Sequence, residues 1–345
     1  MMQSGRIAAA IELLDTILDD RRPADAVANA YFRDRRYIGG GDRREIGAMV
    51  WDVLRTRRRL GWWLVGGGGE PSPRLLVVAS LLFGGARLAE IERFFGVERF
   101  AAKPLSRPER GVLAALEGGR LDHPDMPDGV RLEVPDWLVP RLAARFGPEL
   151  HAEMAAMSEQ APLDLRVNLL KGTREDAAAA LARDGHPARP TRWSPWGLRL
   201  AARQNITQSA AFRDGLVEIQ DEGSQLVARL AGAGPGLRVA DYCAGAAGKT
   251  LAMAMTMENK GHIVACDVSA PRLEAAVKRL RRAGVHNVER HLLEAGDKWV
   301  KRQERRFDRV LVDAPCTGTG TWRRNPDARA RLTEADLQEL TVKQA

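Results

Sequence analysis

Residues 237–250 have the sequence LRVADYCAGAAGKT, and this stretch decides the fold class of the carboxyl-terminal part of the chain. Its first half is an apolar run that favours a buried strand. The small residues of AGAAG then predict a tight turn into a helix. A strand that enters a helix through small residues is typical of α/β units that bind nucleotides or nucleosides, because the helix N-terminus offers free backbone N–H groups to a ligand.

The same alternation of strand and helix continues downstream of this stretch. The predicted elements are strands over 262–268, 288–293 and 309–315 and helices over 248–258 and 270–283. Strands that are apolar almost throughout and alternate with helices indicate a parallel sheet covered on both faces. We therefore expect an α/β domain over residues 216–345.

Two further segments precede this domain. Residues 1–125 carry apolar stripes at helical spacing, separated by glycine runs and without strand alternation, which predicts an all-α domain. Residues 118–135 are rich in glycine and proline and predict a linker. Residues 136–215 combine a helical stretch, an alternating strand over 163–170 and a second helix, so we expect a small α+β module there.

The composition excludes several classes of protein. The 345 residues are 45% hydrophobic and 28% charged, which argues against general disorder. No apolar run approaches the ~18 residues that cross a bilayer, and no secretory signal is visible. Three cysteines cannot build a disulfide framework, and the six histidines show no zinc-ligand spacing. We expect a cytoplasmic monomer without a metal site.

Positive charge is concentrated in two zones. Residues 21–60 carry eleven arginines against five acidic residues, and residues 278–309 carry eleven lysines and arginines against five. With a formal net charge of +8, this pattern favours nucleic acid as a partner. Arg55 and Arg58 are candidate phosphate contacts beside three tryptophans that could stack on bases. Solvated arginines and core tryptophans would give the same pattern.

A second motif, DAPCTGTGT at residues 313–321, follows the fourth predicted strand. Ligands bind at this end of the strands in open α/β sheets. Asp313 and Cys316 place a carboxyl group and a thiol three residues apart in a polar loop, which makes Cys316 a candidate reactive cysteine. Asp267 ends the second strand, where a carboxylate can accept hydrogen bonds from both ribose hydroxyls of an adenosine-type ligand.

The other two cysteines have simpler explanations. Cys266 lies inside a predicted strand and Cys243 at the end of another, so we expect both to be unreactive structural residues. The GKT sequence at 248–250 does not complete a phosphate-binding loop, because Cys243 stands where that motif requires glycine.

An acid and a thiol beside an adenosine-type site suit one kind of chemistry. Carbon 5 of cytosine is a poor nucleophile, but a thiolate that adds to carbon 6 converts the ring into an enamine, which can attack a methyl group on a sulfonium. A nearby carboxyl group stabilises the adduct by supplying or sharing a proton. These residues therefore predict methylation of a nucleobase. A nicotinamide-dependent oxidoreductase would leave residues 313–316 without a role. A non-catalytic RNA-binding protein would leave the small-residue loop between the first strand and its helix without a role.

The motifs DYCAGAAGKT, VDAPCTGTGT and RRNPD resemble those of the Sun/RsmB family of S-adenosylmethionine-dependent RNA cytosine-5 methyltransferases. QDEGSQ at 220–225 and LRVN at 165–168 match the family's preceding segments, so the similarity covers about residues 135–345. The resemblance implies a Rossmann-like methyltransferase domain over 216–345 and an RNA-contacting wing over 136–215. Residues 1–125 resemble, more weakly, the NusB-like RNA-binding domain of some members.

The resemblance also implies roles for individual residues. The implied contacts of S-adenosylmethionine are Cys243, Ala244, Gly245, Ala246, Ala247, Gly248, Lys249, Asp267, Glu294 and Asp313. Within this set the loop would hold the methionine part, Asp267 the ribose, and Glu294 the adenine side, where the family usually has an aspartate. Asp313 would also touch the target cytosine, and Cys316 would be the assisting cysteine that helps release the product. Arg166 and Asn168 of the wing would contact RNA.

The sequence departs from the family pattern in two places. Ala246 and Ala247 replace the middle pair of the usual Ala-Pro-Gly-Gly-Lys loop, which costs roughly 1–2 kcal/mol if residue 247 has a positive φ. The sequence ends at Ala345, before the family's Thr-Cys motif, whose cysteine is the nucleophile, and before its last strands. We expect a fragment of an active methyltransferase of small-subunit ribosomal RNA. The alternatives are an inactive RNA-binding protein, attack by Cys316 itself, and transfer RNA as the substrate.

Overall fold

The computed structural model describes residues 1–96, 100–201, 204–294 and 296–345. They form two compact units. Unit 1 contains residues 1–161 and 316–343 together with Ala345, and unit 2 contains residues 162–315 together with Gln344. This division differs from the predicted boundaries, because the last segment of the chain belongs with the amino-terminal helices and the wing belongs with the sheet of the α/β domain.

The elements follow one another in chain order. The helices are α1 (Gln3–Asp19), α2 (Ala24–Asp34), α3 (Gly40–Gly66), α4 (Pro73–Phe83), α5 (Leu88–Glu92), α6 (Arg107–Ala114), α7 (Asp128–Arg131), α8 (Val139–Phe146), α9 (Leu150–Ser158), α10 (Arg174–Arg183), α11 (Ala210–Arg213), α12 (Glu222–Leu230), α13 (Gly248–Thr256), α14 (Ala270–Ala283), α15 (Trp299–Arg302), α16 (Pro326–Arg331) and α17 (Glu334–Gln344). The strands are β1 (Asp164–Val167), β2 (Ala188–Pro190), β3 (Gly197–Leu200), β4 (Val217–Ile219), β5 (Arg238–Asp241), β6 (His262–Asp267), β7 (Val288–Leu292) and β8 (Arg309–Leu311). Short 3-10 turns lie at Asp136–Leu138, Gly147–Glu149 and Thr319–Thr321.

Unit 1 is helical over the residues described, as the apolar stripes predict. The stripes of α1, α3 and α4 bury their apolar side chains in one core. Trp51 and Trp63 pack against this core: the ring of Trp63 contacts Phe83, and its indole N–H donates to the carbonyl of Leu121 at 2.9 Å. No described helix of the chain combines the length and apolar character that a bilayer crossing requires.

The predicted linker over 118–135 is wrong in its second half, which packs into unit 1. Helix α3 is kinked at Thr56 (φ −124°), and the kink frees backbone N–H groups in the following turn. The buried carboxylate of Glu133 accepts hydrogen bonds from two of them, those of Arg58 at 2.8 Å and Arg59 at 3.1 Å. A buried backbone donor requires such a partner, so residues near 133 form part of the core.

Residues 316–343 are held in unit 1 by apolar and polar contacts. Trp322 is 1% exposed and packs in a cluster with Leu132, Leu150 and their neighbours. The carboxylate of Asp327 accepts from the backbone N–H of Ala24 at 2.9 Å, which satisfies a free donor at the start of α2. The packing partners of this segment are therefore distant in sequence and belong to unit 1, while the single domain over 216–345 stays a prediction.

Unit 2 contains two sheets. The first is antiparallel with the order β2-β3-β1-β4 and forms the wing together with α10, whose N-cap is Thr173. The second is parallel with the order β7-β6-β5-β8, which confirms the parallel sheet predicted from the apolar runs. Among the described strands β8 is an edge, and Val310 and Val312 there are each 58% exposed.

The wing is bound to the C-terminal end of α14. The side-chain amide of Asn168 donates to the carbonyls of Gly215 at 3.0 Å and Ala283 at 2.8 Å. Gly215 has φ +73°, and a Cβ atom on it would overlap the carbonyl oxygen of Arg282. Glycine is therefore required at this point for two independent reasons, the backbone conformation and the close approach. The wing and the parallel sheet consequently form one packed body.

Candidate functional site

The predicted cofactor loop connects β5 to α13 and has a strained backbone. Ala247, the N-cap residue of α13, has φ 62° and ψ 30°, so the left-handed conformation anticipated for this position is present. Its methyl group is fully buried and packs with Leu251, Ala276 and Leu280. Burial of this methyl group offsets part of the strain, which explains how alanine is tolerated where glycine is usual.

Asp267 lies at the end of β6 and shapes the loop. One carboxylate oxygen accepts from the backbone N–H of Gly245 and the other from that of Ser269, both at 2.8 Å. Asp267 is 6% exposed, and each of its carboxylate oxygens retains the capacity to accept a second hydrogen bond. The residue that we expect to contact ribose therefore also fixes the conformation of the loop.

The carboxylates of Asp241, Asp267 and Asp313 surround the loop with negative charge. Lys249 forms an ion pair with Asp313 and so holds that side chain beside α13. Burial, and then the charges of all three carboxylates, raise the pKa of the Cys243 thiol. Burial raises the pKa of Cys266 to about 12. Because the thiolate is the reactive form, both environments agree with the prediction that these two cysteines are unreactive.

Asp241 is a member of this site that our sequence-based assignments omitted. Its carboxylate is 1% exposed and accepts from the Thr250 hydroxyl at 2.6 Å. Burial raises its pKa to about 6, against the opposing effects of Thr250 and Lys249. An aspartate at the end of an apolar strand is the signal that could have identified it.

Glu294 lies two residues beyond β7 and is exposed. The preceding residue, Leu293, donates its backbone N–H to the carbonyl of Asp267 at 2.9 Å, which brings the end of β7 next to the end of β6. The adenine-side role of Glu294 stays a prediction, compatible with this position.

Cys316 belongs to unit 1, whereas Asp313 and the loop belong to unit 2. Its side chain is exposed and lines a pocket of unit 1 with Thr317, Asn325, Asp327 and Leu340. The thiol is therefore accessible to a substrate, unlike that of Cys266.

The predicted RNA contacts of the wing are corrected by the structure. Arg166 is 2% exposed, and its guanidinium donates to Gln220 Oε1 at 2.6 Å and to the carbonyl of Gly248 at 2.8 Å. Asn168 is 4% exposed and is bound to main-chain carbonyls of Gly215 and Ala283. Neither side chain is available to RNA at the surface, because Arg166 binds the start of α13 and Asn168 binds the end of α14.

The predicted RNA contacts of the first basic zone also have internal partners. Arg55 is 8% exposed and forms an ion pair with Asp52 at 3.2 Å. The Arg58 guanidinium donates to the carbonyl of Val134 and pairs with Asp136 at 2.9 Å. Both guanidinium groups are held by partners within unit 1, Arg55 within α3 itself and Arg58 by the segment after α7, so the structure does not support their assignment as phosphate contacts.

Two further residues at the loop were not among the predicted site residues. Arg279 donates to the carbonyl of Ala246 at 2.5 Å, and Gln220 accepts from Arg166. Arg279 lies in the basic zone over 278–309, where it looks like one of many solvated arginines. Gln220 lies in the QDEGSQ segment that carries the resemblance, which is the signal that could have marked it.

The charge of the loop distinguishes between classes of ligand. Asp313 is paired with Lys249, but the carboxylates of Asp241 and Asp267 have no ion-pair partner among the described residues, and they favour a cationic group such as a sulfonium over the negative pyrophosphate of a dinucleotide. The residues around the loop therefore fit S-adenosylmethionine: an acid for ribose, small residues for close approach and negative charge near the methyl donor.

Comparisons with known proteins agree with this geometry. A family model for the 16S rRNA methyltransferases RsmB/F matches residues 234–345, and a model for the ferredoxin-like domain of RsmF/B-like methyltransferases matches residues 134–207. In the crystal structure of PH0851 the fold recurs, with a TM-score of 0.75 at 22% identity, covering 100% of this chain and 81% of that one.

Two curated relatives carry names of the same kind. Ribosomal RNA small subunit methyltransferase B of Serratia proteamaculans is 32% identical over 214 residues, which cover 61% of this chain and 49% of the relative. The probable ribosomal RNA small subunit methyltransferase B of a Synechocystis species is 32% identical over 260 residues, 74% of this chain and 57% of the relative. The chain thus spans about half the length of the curated relatives it matches. On these matches and motifs, the chain belongs to the Sun/RsmB family of S-adenosylmethionine-dependent methyltransferases.

Proposed function

We propose that the protein transfers a methyl group from S-adenosylmethionine to carbon 5 of cytosine in small-subunit ribosomal RNA. It would act in the cytoplasm as a monomer. The observation that carries the proposal is the carboxylate-lined loop at the ends of β5, β6 and β8, followed in the chain by the accessible thiol of Cys316. The names of the relatives support ribosomal RNA as the substrate.

The chain's residues have separate tasks in this proposal. Bound S-adenosylmethionine supplies an electrophilic methyl group on a positively charged sulfur. Asp267 holds the ribose hydroxyls while its bonds to Gly245 and Ser269 keep it oriented. Asp313, held by Lys249, donates or shares a proton with the cytosine ring.

A cysteine thiolate is proposed to add to carbon 6 of the ring, which makes carbon 5 nucleophilic. After carbon 5 has received the methyl group, it loses its proton to a base and the carbon–sulfur bond breaks, which restores the aromatic ring. Cys316 is assigned to this second stage as the assisting cysteine.

Cofactor binding is tested by calorimetry with S-adenosylhomocysteine and NADH. We expect S-adenosylhomocysteine to bind and NADH not to compete with it. Asp267→Ala should weaken the affinity more than tenfold, because it removes hydrogen bonds to a charged acceptor. Glu304→Ala, at an exposed carboxylate, is the control. Binding of NADH in place of S-adenosylhomocysteine would reject the assignment.

The substrate is tested by deleting the gene and mapping 5-methylcytosine in ribosomal and transfer RNA by bisulfite sequencing. Loss of a single site in small-subunit ribosomal RNA is the expected result. Loss of a transfer RNA site would change the substrate class, and an unchanged map would contradict the proposed activity.

The role of Cys316 is tested with Cys316→Ser in the gene product. An assisting cysteine predicts that the variant accumulates a protein–RNA adduct that resists denaturing electrophoresis, because addition proceeds and release does not. Absence of both adduct and methylation would instead make Cys316 the attacking residue.

A further inference from the structure

Two arginines donate hydrogen bonds to carbonyl groups of the cofactor loop. Arg166 from β1 binds the carbonyl of Gly248 at 2.8 Å, and Arg279 from α14 binds that of Ala246 at 2.5 Å. These carbonyls flank Ala247, the residue in the left-handed conformation. We infer that Arg166 and Arg279 are positioning residues that hold the loop in its strained conformation and thereby make the wing a part of the methyl-donor site. The statement that the wing is part of the methyl-donor site rests on the proposed function.

The burial of Arg166 supports a specific role. Its side chain is 2% exposed, and over the described ranges no carboxylate lies within 4.0 Å of its guanidinium, whose bonds go to the neutral groups of Gln220 and Gly248. Removing such a charge from water has a large cost, and an apolar side chain of similar volume would avoid it. The hydrogen bond from the guanidinium fixes the direction of the Gly248 carbonyl, at the first residue of α13.

Arg279 depends on the wing as well. Its second amino group lies 3.5 Å from Glu218 Oε1, and Arg282 pairs with the other carboxylate oxygen of Glu218 at 2.6 Å. Glu218 belongs to β4 of the wing sheet, and its side chain is 10% exposed. The wing therefore acts on the loop by two routes, directly through Arg166 and through Glu218 and Arg279.

These contacts have a mechanical consequence for the loop. Alanine favours negative φ, so Ala247 tends to rotate its flanking peptides out of the observed conformation. The two hydrogen bonds oppose this rotation from both sides. If they are lost, the backbone N–H groups at the start of α13 turn away from the positions that face a bound ligand.

The test compares Arg166→Met and Arg279→Gln with Lys171→Met in the full 345-residue chain. Lys171 also joins the wing to α14, through the carbonyls of Asp214 and Arg282, but it does not touch the loop. Amide hydrogen exchange is measured on ligand-free protein over 243–250 and over β6, and the affinity for S-adenosylhomocysteine is measured by calorimetry.

Both loop variants should exchange about tenfold faster over 243–250, and bind S-adenosylhomocysteine about tenfold more weakly, as expected for one lost hydrogen bond to a charged donor. Exchange over β6, and all values for Lys171→Met, should change by less than about twofold. In an Ala247→Gly background the effect of Arg166→Met should shrink, because glycine removes the strain that the arginine opposes.

Normal loop exchange in folded variants would overturn the inference. If Arg166→Met does not fold, Arg279→Gln carries the same test, because its side chain is partly exposed. If the unaltered protein does not bind S-adenosylhomocysteine, the proposed function fails, while the exchange measurements still decide whether the arginines hold the loop.

Discussion

Replacing Asp241 by asparagine should make the stability of unit 2 less dependent on pH. The Asp241 carboxylate is buried, one oxygen accepts from Thr250, and the other has no partner in the part of the chain that the structure describes. Burial raises its pKa to about 6, and the nearby charge of Asp313 contributes to the increase. In the unfolded chain an aspartate has a pKa of about 3.9.

The sign and size of the effect follow from these two values. The folded state binds the proton more tightly than the unfolded state, so Asp241 contributes stability below about pH 4 that is lost as the pH rises through about 6. The whole difference is roughly 3 kcal/mol at 1.36 kcal/mol per pH unit. Between pH 5 and pH 8 the loss is about 1.4 kcal/mol, because half of the transition lies below pH 5.

The assay is urea unfolding at pH 5, 6, 7 and 8 for the unaltered protein, Asp241→Asn and the exposed control Glu304→Gln. The free energy of unfolding of Asp241→Asn, relative to the unaltered protein, should rise by about 1.4 kcal/mol from pH 5 to pH 8. The effect of asparagine on the hydrogen bond to Thr250 shifts the free-energy difference equally at all four pH values. It therefore does not change the dependence of this difference on pH. A difference that stays flat to within about 0.3 kcal/mol, or follows the Glu304→Gln control, would refute the reasoning.

Three further predictions concern unit 2. Gly215→Ala should reduce the free energy of unfolding by about 2–5 kcal/mol in thermal and urea experiments, because it adds both left-handed strain and an overlap with α14. The control is Gly185→Ala, where φ is +80° but the space around the glycine is open. This control should reduce the free energy of unfolding by only about 1–2 kcal/mol. Ala247→Gly should change stability by less than about 1 kcal/mol by calorimetry, because relief of strain is balanced by a lost buried methyl group and a more flexible unfolded chain. Trp193→Ala should weaken binding of single-stranded RNA by about 1–3 kcal/mol in fluorescence anisotropy, because the 61%-exposed ring offers a stacking surface on the wing. The melting temperature should not fall. Unchanged affinity for RNA would exclude this role of Trp193.

The parallel sheet could be predicted because its strands are apolar along their whole length. The predicted strands start within one residue of those observed, and they end too late, most clearly at β8, which stops at Leu311 rather than at Pro315. The end of a strand depends on where its neighbour stops pairing, which is not encoded in local composition. The loop between β5 and α13 and the position of Asp267 could be predicted for the same reason, as they follow from where the strands lie.

The role of Arg166 could not be predicted from the alternation of β1. An alternating strand suggests one face in a core and one in water, which would expose Arg166 between Leu165 and Val167. All four residues of β1 are buried, because α12 and the cofactor loop cover the second face. The packing of residues 316–343 in unit 1 was unpredictable on similar grounds, since a buried Trp322 does not reveal which distant residues surround it.

The bonds that join the wing to α14 limit how hybrid proteins can be built from members of this family. A wing transplanted from a relative has to supply glycine at the position of Gly215 and an amide donor at that of Asn168, and its new host has to end α14 at the matching carbonyl. A crossover placed between the wing and α14 separates these partners and leaves buried donors unmatched. Segments exchanged as a block over 162–315 keep them together, so the segment to exchange is the wing with its sheet and not the wing alone.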